Sequence, residues 1–169
     1  MISRLKSIFA KALPSSAPAA GNDEVIRQLP LFHTLTRRER GLLRLILHER
    51  TYTAGEVICE EGEEGLSMYV IIEGKATAFR TGDRERRELT LGVGDSFGEM
   101  ALLQGARRPA TLVASESPTR LLSLFQPELL QLLEGHHRIG YKISYQLACM
   151  ISKRFRTFLA RETGNELIH

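Results

Sequence analysis

The chain is predicted to be mainly β: an antiparallel sandwich or roll, with helices before it and one long helix after it. Three observations carry that prediction. Across the middle of the chain the apolar residues fall in short runs of about five, each closed by Gly, Asp or Glu. On both sides of that stretch their spacing changes to three and four, the period of a helix buried on one face. The third is size. A chain of 169 residues, 43% hydrophobic and 25% charged, suits one globular domain with a sizeable core.

Each element follows in order. In MISRLKSIFAKAL, residues 1–13, Ile2, Leu5, Ile8, Phe9 and Leu13 recur at helical spacing among Arg4, Lys6 and Lys11. This predicts a short basic amphipathic helix. It would dock on its own domain or on a dimer partner, bind a membrane surface or another protein, or target the chain. Charge interrupts its apolar residues, which argues against a secretory signal. Residues 14–23, PSSAPAAGND, read as linker. The domain proper is expected over 24–161, with a tail at 162–169.

Pro30 breaks the first helical stretch, VIRQLPLF. Thr36 and Glu39 then form a capping box for a helix whose apolar face includes Leu42, Leu43, Leu45, Ile46 and Leu47. Strands are predicted around Glu56 to Cys59, Ser67 to Ile72, Gly74 to Arg80, Arg87 to Leu91, Thr111 to Ser115 and Arg120 to Leu124. Gly62, Gly65, Gly74, Gly82, Gly92 and Gly94 are the turn candidates. QPELLQLLEG is a short helix that Gly135 can stop. From His136 to about Arg161 a long helix carries Ile139, Ile143, Leu147, Met150, Ile151, Phe155, Phe158 and Leu159 in one stripe. The stripe is wide enough to face both the chain's own sheet and a partner subunit. Gly164 reads as the terminator.

Several functions are disfavoured. No apolar run approaches the roughly 18 residues of a membrane span. Two cysteines and five scattered histidines give neither a disulfide framework nor a metal-ligand spacing, so no metal is expected. Ser96 and Glu99 lack an organised His partner, so catalysis is not expected either. The net charge of +3 favours anionic partners only weakly. Eighteen of the 23 basic residues are Arg, whose planar fork suits phosphate and carboxylate.

The informative segment is GVGDSFGEMALLQGARRPATLVASE. A strand ends at Gly94-Asp95, and Phe97-Gly98-Glu99 opens a helical turn. Arg107 and Arg108 follow, and a strand resumes at Thr111. A glycine at the mouth of such a turn brings backbone amides within reach of an anion. A returning guanidinium can clamp that anion. Glu99 repels a bare phosphate, but it suits a ligand that also offers a hydroxyl: a nucleotide or a sugar phosphate. Blander readings stand beside these. Phe97 is a core residue, and Asp95 holds a turn. Gly98 could serve a plain turn, and Glu99 could be a helix N-terminal carboxylate. Arg108 could be a surface residue or a partner of Glu99, and Arg107 could be solvent-facing or exchange roles with it.

On these residues the chain resembles the cyclic nucleotide-binding domains of catabolite-activator-type regulators, kinase regulatory subunits and cyclic-nucleotide-gated channels. AGEVICEEGEEGLSMYVIIEGKATAF resembles that family's first half. LTLGVGDSFGEMALLQGARRPATLVA resembles its phosphate-binding cassette, with FGEMAL followed by Arg108, Ala110 and Thr111 at the cassette's spacing. The resemblance spans residues 24–160. It implies an antiparallel β-roll of the jelly-roll (double-stranded β-helix) kind and a cytoplasmic regulatory role, peripheral at a membrane if residues 1–13 bind lipid. It implies that Glu99 accepts the ribose 2′-OH and that Arg108 pairs with the cyclic phosphate. Amides of Gly98, Met100 and Ala101 help hold phosphate and sugar. Ala110 and Thr111 line the cassette's exit, with the Thr111 hydroxyl either donating or simply packing. The base lies against strand residues such as Leu89, under the long C-terminal helix.

One residue departs from the pattern. Pro109 stands where the family usually has Ala, Ser or Thr, and proline has no N–H to give the phosphate. Such a loss costs about 0.5–1.5 kcal/mol, up to roughly tenfold in affinity. It also removes a hydroxyl that guanine-preferring members often use, which favours cAMP over cGMP. After the long helix only a few residues remain, so the helix-turn-helix domain of the regulators does not fit and direct DNA binding is not expected. The expected output is a homodimer through the C-terminal helix or a separate effector. The competing expectation is a ligand-free scaffold with a pocket weakened by Pro109.

Overall fold

The computed structural model describes residues 23–80, 88–102 and 105–163. The predicted helix over 1–13, the linker up to 22, Gly82, Arg87 and Gly164 with the rest of the tail lie outside the described residues.

Two short helices open the described part of the chain, α1 (Asp23–Gln28) and α2 (Arg37–Arg44). Pro30 ends the first by forbidding helix at the residue before it. The capping box starts the second: the Glu39 amide donates to Thr36 Oγ1 at 3.3 Å, and the Thr36 amide donates to Glu39 Oε2 at 2.7 Å. Arg40 donates to both carboxylate oxygens of Asp23 at 3.0 Å and ties the two helices together.

The helical spacing runs on to Leu47, but α2 stops at Arg44 and Leu45 caps it. Leu47 opens strand β1 (Leu47–Tyr52) instead. The reason is Glu49, which lies beside Leu47 on the helix-facing side of the sheet and is 7% exposed. Arg120 Nε donates to it at 2.7 Å. A charge on a buried face hides the alternation of a strand unless its distant partner is known.

Seven further strands follow: β2 (Val57–Cys59), β3 (Ser67–Glu73), β4 (Ala76–Phe79), β5 (Leu89–Leu91), β6 (Ser96–Phe97), β7 (Thr111–Ala114) and β8 (Thr119–Phe125). They form two antiparallel four-stranded sheets, ordered β1-β8-β3-β6 and β2-β7-β4-β5. The β3–β4 hairpin turns at Gly74, whose φ is +74°. A side chain there would meet the Pro118 carbonyl at 2.6 Å, so only glycine closes this turn.

The first sheet is buried on both faces. Tyr69, Ile71 and Leu121 point into the roll with Ile58, Phe97 and Leu112. Met68, Val70, Leu122 and Leu124 point the other way, against the helices. That outer layer is completed by α3 (Gln126–Gly135) and α4 (His137–Thr163). Ile139, Ile143 and Leu147 of α4 are fully buried against Phe32, Leu43 and Leu129. Met150, Ile151 and Leu159 are half-buried and Phe155 is exposed, so the fully buried part of the stripe lies, among the described side chains, in the first part of the helix. The side chain of Phe158 lies outside the described residues.

Lys142 on α4 donates to Glu39 Oε2 at 2.6 Å. Burial raises the Glu39 pKa, but Lys142 and the Thr36 amide outweigh it and hold the carboxyl at about 2. The start of α4 is therefore pinned to α2. Among the described residues no helix is long and apolar enough to cross a membrane.

Candidate functional site

Strand β6 ends at Phe97, which stacks on Tyr69 at 5.1 Å between ring centroids. Phe97 is thus core. The turn before it is held by Asp95, whose Oδ2 accepts from the Gly92 amide at 2.8 Å. Gly98 follows with φ +78°, and a short 3-10 helix covers Glu99–Leu102.

The chain returns past this turn at Arg107 and Arg108. Their backbone is fixed by the 62–64 segment: the Arg108 amide donates to the Glu63 carbonyl at 2.8 Å, and Gly62 donates to the Arg108 carbonyl at 2.9 Å. Arg107 turns outward and donates to the Gly62 carbonyl at 2.8 Å. Arg108 turns inward and is 7% exposed. Its Nη2 donates to Ser67 O at 2.8 Å and to Ser67 Oγ at 3.1 Å, and its guanidinium lies 5.5 Å from the Tyr69 ring centroid. Two glycines make room for it. A Cβ at Gly98 would stand 2.2 Å from Arg108 Nη1, and one at Gly65 would stand 3.0 Å from Arg108 Cζ. A positive φ and a side chain pressed on the backbone both demand glycine at 98.

Glu99 is 3% exposed. Its Oε1 accepts from Arg154 Nη1 on α4, and Arg154 Nη2 also donates to the Ser96 carbonyl at 3.3 Å. Its Oε2 is buried with no hydrogen-bond partner among the described residues. An acceptor left so costs about 1–3 kcal/mol, so the position favours a donor brought by a ligand.

The structure thus brings Gly98, Glu99 and Arg108 to one turn, with a buried cation and a buried carboxylate on either side of Gly98. Met100 is exposed. Ala101 is buried, and its amide donates to the Gly98 carbonyl at 3.1 Å. Ala110 and Thr111 are half-buried just beyond, and Thr111 Oγ1 accepts from the Glu61 amide at 3.0 Å. Leu89 is exposed on β5, the edge strand of its sheet. Arg154 was not foreseen. Its partner is 55 residues away, and an arginine on the polar side of a long helix carries no local signal.

Comparisons with known proteins bear on the family and the fold. The family model described as "Cyclic nucleotide-binding domain" matches residues 49–136, more than half of the chain. The cyclic AMP receptor protein of Thermus thermophilus is 37% identical over 129 residues, which cover 75% of this chain and 57% of that protein. The crystal structure of the catabolite activator protein of Thermus thermophilus superposes with a TM-score of 0.69 at 34% identity, covering 79% of this chain and 62% of that one. The regulatory domain of Toxoplasma gondii PKA, solved as a co-crystal with cAMP, gives a TM-score of 0.60 at 28% identity, covering 68% of this chain and 46% of that one. This chain spans little more than half of the Thermus thermophilus relative's length. A matching family model, an antiparallel roll and a cassette turn flanked by Glu99 and Arg108 lead to one assignment: the chain belongs to the cyclic nucleotide-binding domain family.

Proposed function

We propose that this chain is a regulatory sensor that binds cAMP ahead of cGMP and passes the signal through α4. The single observation that carries the reading is the pairing of two buried, opposite charges around Gly98. Arg108 is the cation for the cyclic phosphate, and Glu99 Oε2 is the acceptor for the ribose 2′-OH. Amides of Gly98 and Met100 add donors to the phosphate, while that of Ala101 would be shared with the Gly98 carbonyl. Ala110 and Thr111 close the cassette, and the base lies along Leu89. This is binding rather than catalytic chemistry, and it needs no metal.

The output we propose is a change in α4 placement. The exposed side of α4 carries Tyr141, Tyr145, Ala148, Ser152 and Phe155. Their steps of four and three make the seam of a two-stranded coiled coil, and Tyr141 stacks on Tyr145 at 6.1 Å between centroids. A seam of that period is self-complementary, so the partner we propose is a second copy of the chain. Residues 1–13 supply the basic amphipathic segment for weak contact with a membrane surface.

Calorimetric titration with cAMP and with cGMP tests the reading, with Arg108→Ala as control. Binding that Arg108→Ala abolishes supports it. Binding weaker than millimolar for both nucleotides would favour the ligand-free scaffold, with Pro109 as the cause. Sedimentation equilibrium of the wild type and Phe155→Glu tests the dimer: association that survives the substitution points to a different face.

A further inference from the structure

Arg154 joins α4 to the cassette twice, through Glu99 Oε1 and through the Ser96 carbonyl. We infer that Arg154 is the positioning residue through which the ribose hydroxyl and α4 favour one another. By taking Oε1 it fixes the Glu99 carboxylate and leaves Oε2 for the 2′-OH. The inference rests on the cyclic nucleotide reading above and adds to it the residue that couples ligand to helix.

Three observations support coupling in this direction, rather than competition between Arg154 and the nucleotide. The first is the division of the carboxylate. It has two oxygens, each able to accept more than one hydrogen bond. Arg154 engages one, and the other is buried with no partner among the described residues. A hydroxyl arriving at Oε2 therefore has no need to displace Arg154. The second is charge. Glu99 and Arg108 balance each other, so a cyclic phosphate would add an uncompensated negative charge to a buried site. Arg154 is the cation in contact that restores balance, and a buried carboxylate robbed of its partner is strongly disfavoured. The third is leverage. The Arg154 side chain is 52% exposed while the Glu99 side chain is 4% exposed. Its stem thus reaches from the surface of α4 to a group the cassette itself aims. Other ionic contacts of α4, from Lys142 and Arg138 to Glu39, lie nearer the start of the helix. Those contacts belong to α2, and that of Arg154 to the ligand site.

The test is a comparison of cAMP with 2′-deoxy-cAMP on the full chain, wild type against Arg154→Met, with Arg154→Lys as the charge-keeping variant. In the wild type the deoxy nucleotide should bind about ten- to a hundredfold more weakly, the worth of a hydrogen bond to a charged acceptor. In Arg154→Met, cAMP should weaken by a similar factor. The deoxy nucleotide should lose only about threefold, the share of a half-screened charge, so the ratio between the two nucleotides collapses. Arg154→Lys should restore part of that ratio. Arg154 is half exposed, so the Met variant should melt near the wild type; if it does not fold, Arg154→Gln takes its place. An unchanged ratio with both affinities reduced alike would leave Arg154 a merely structural role and overturn the inference. Tighter cAMP binding in Arg154→Met would overturn it in favour of competition. A wild type that binds neither nucleotide would overturn the ligand reading itself, a result distinct from binding with an unchanged ratio.

Discussion

Gly98→Ala is the sharpest local perturbation of the site. The backbone there has φ +78°, and a Cβ would fall 2.2 Å from Arg108 Nη1 and 2.8 Å from the Ser67 carbonyl. The left-handed conformation alone costs a non-glycine residue about 1–2 kcal/mol. The carbonyl is backbone and cannot retreat cheaply, so the Arg108 guanidinium must move. That breaks its bonds to Ser67 O and Oγ, both made by a buried charge. Hydrogen bonds of that kind contribute about 1.5–3 kcal/mol. With partial relaxation, Gly98→Ala should lower unfolding stability by about 2–4 kcal/mol and weaken cAMP binding by about a hundredfold or more. Urea unfolding gives the first number and calorimetry the second. Gly92→Ala is the control, since nothing lies within 4 Å of a Cβ there. If Gly98→Ala kept both stability and affinity, Arg108 would not be held against Gly98 as described, and the argument for its role would fail.

Two further predictions concern the helices. Glu39→Gln should cost about 1–3 kcal/mol, because it removes a charged partner from Lys142 and weakens the Thr36 box. The Glu39 pKa is lowered from 4.5 to about 2, so its contribution is complete above the unfolded value of 4.5 and is lost as pH falls toward 2. Unfolding midpoints of the wild type between pH 5 and 2 should therefore fall more steeply than those of Glu39→Gln, and parallel curves would contradict that. Gly41→Ala, on the exposed side of α2 with nothing within 4 Å of its Cβ, should stabilise by about 0.5–1 kcal/mol in thermal or urea unfolding. A loss of stability there would show that α2 packs differently.

How much of this was legible in the sequence depended on distance along the chain. The cassette was legible because its parts lie close together: Gly98, Glu99 and Arg108 fall within one turn and the segment that returns before β7. The change from helical spacing to short glycine-punctuated runs likewise announced the roll. Strand β1 was hidden because its helix-facing side carries Glu49, whose partner Arg120 is 71 residues away. Strands β3 and β8 show no alternation because the roll covers one face and the helices the other. The stripe of α4 looked uniform, yet among its described side chains Ile139, Ile143 and Leu147 alone are fully buried, where α4 packs against the neighbouring helices. Arg154 lay beyond reach for the same reason as Glu49: nothing local marks a residue whose partner is set by tertiary packing.

The most direct test of the central claim is a crystal structure of the full chain grown with cAMP. The account predicts nucleotide density in the cassette, with the cyclic phosphate on Arg108 beside Gly98 and the 2′-hydroxyl on Glu99 Oε2. Nucleotide bound elsewhere, or a cassette in which Arg108 keeps to Ser67 alone and Glu99 meets no hydroxyl at saturating cAMP, would contradict it.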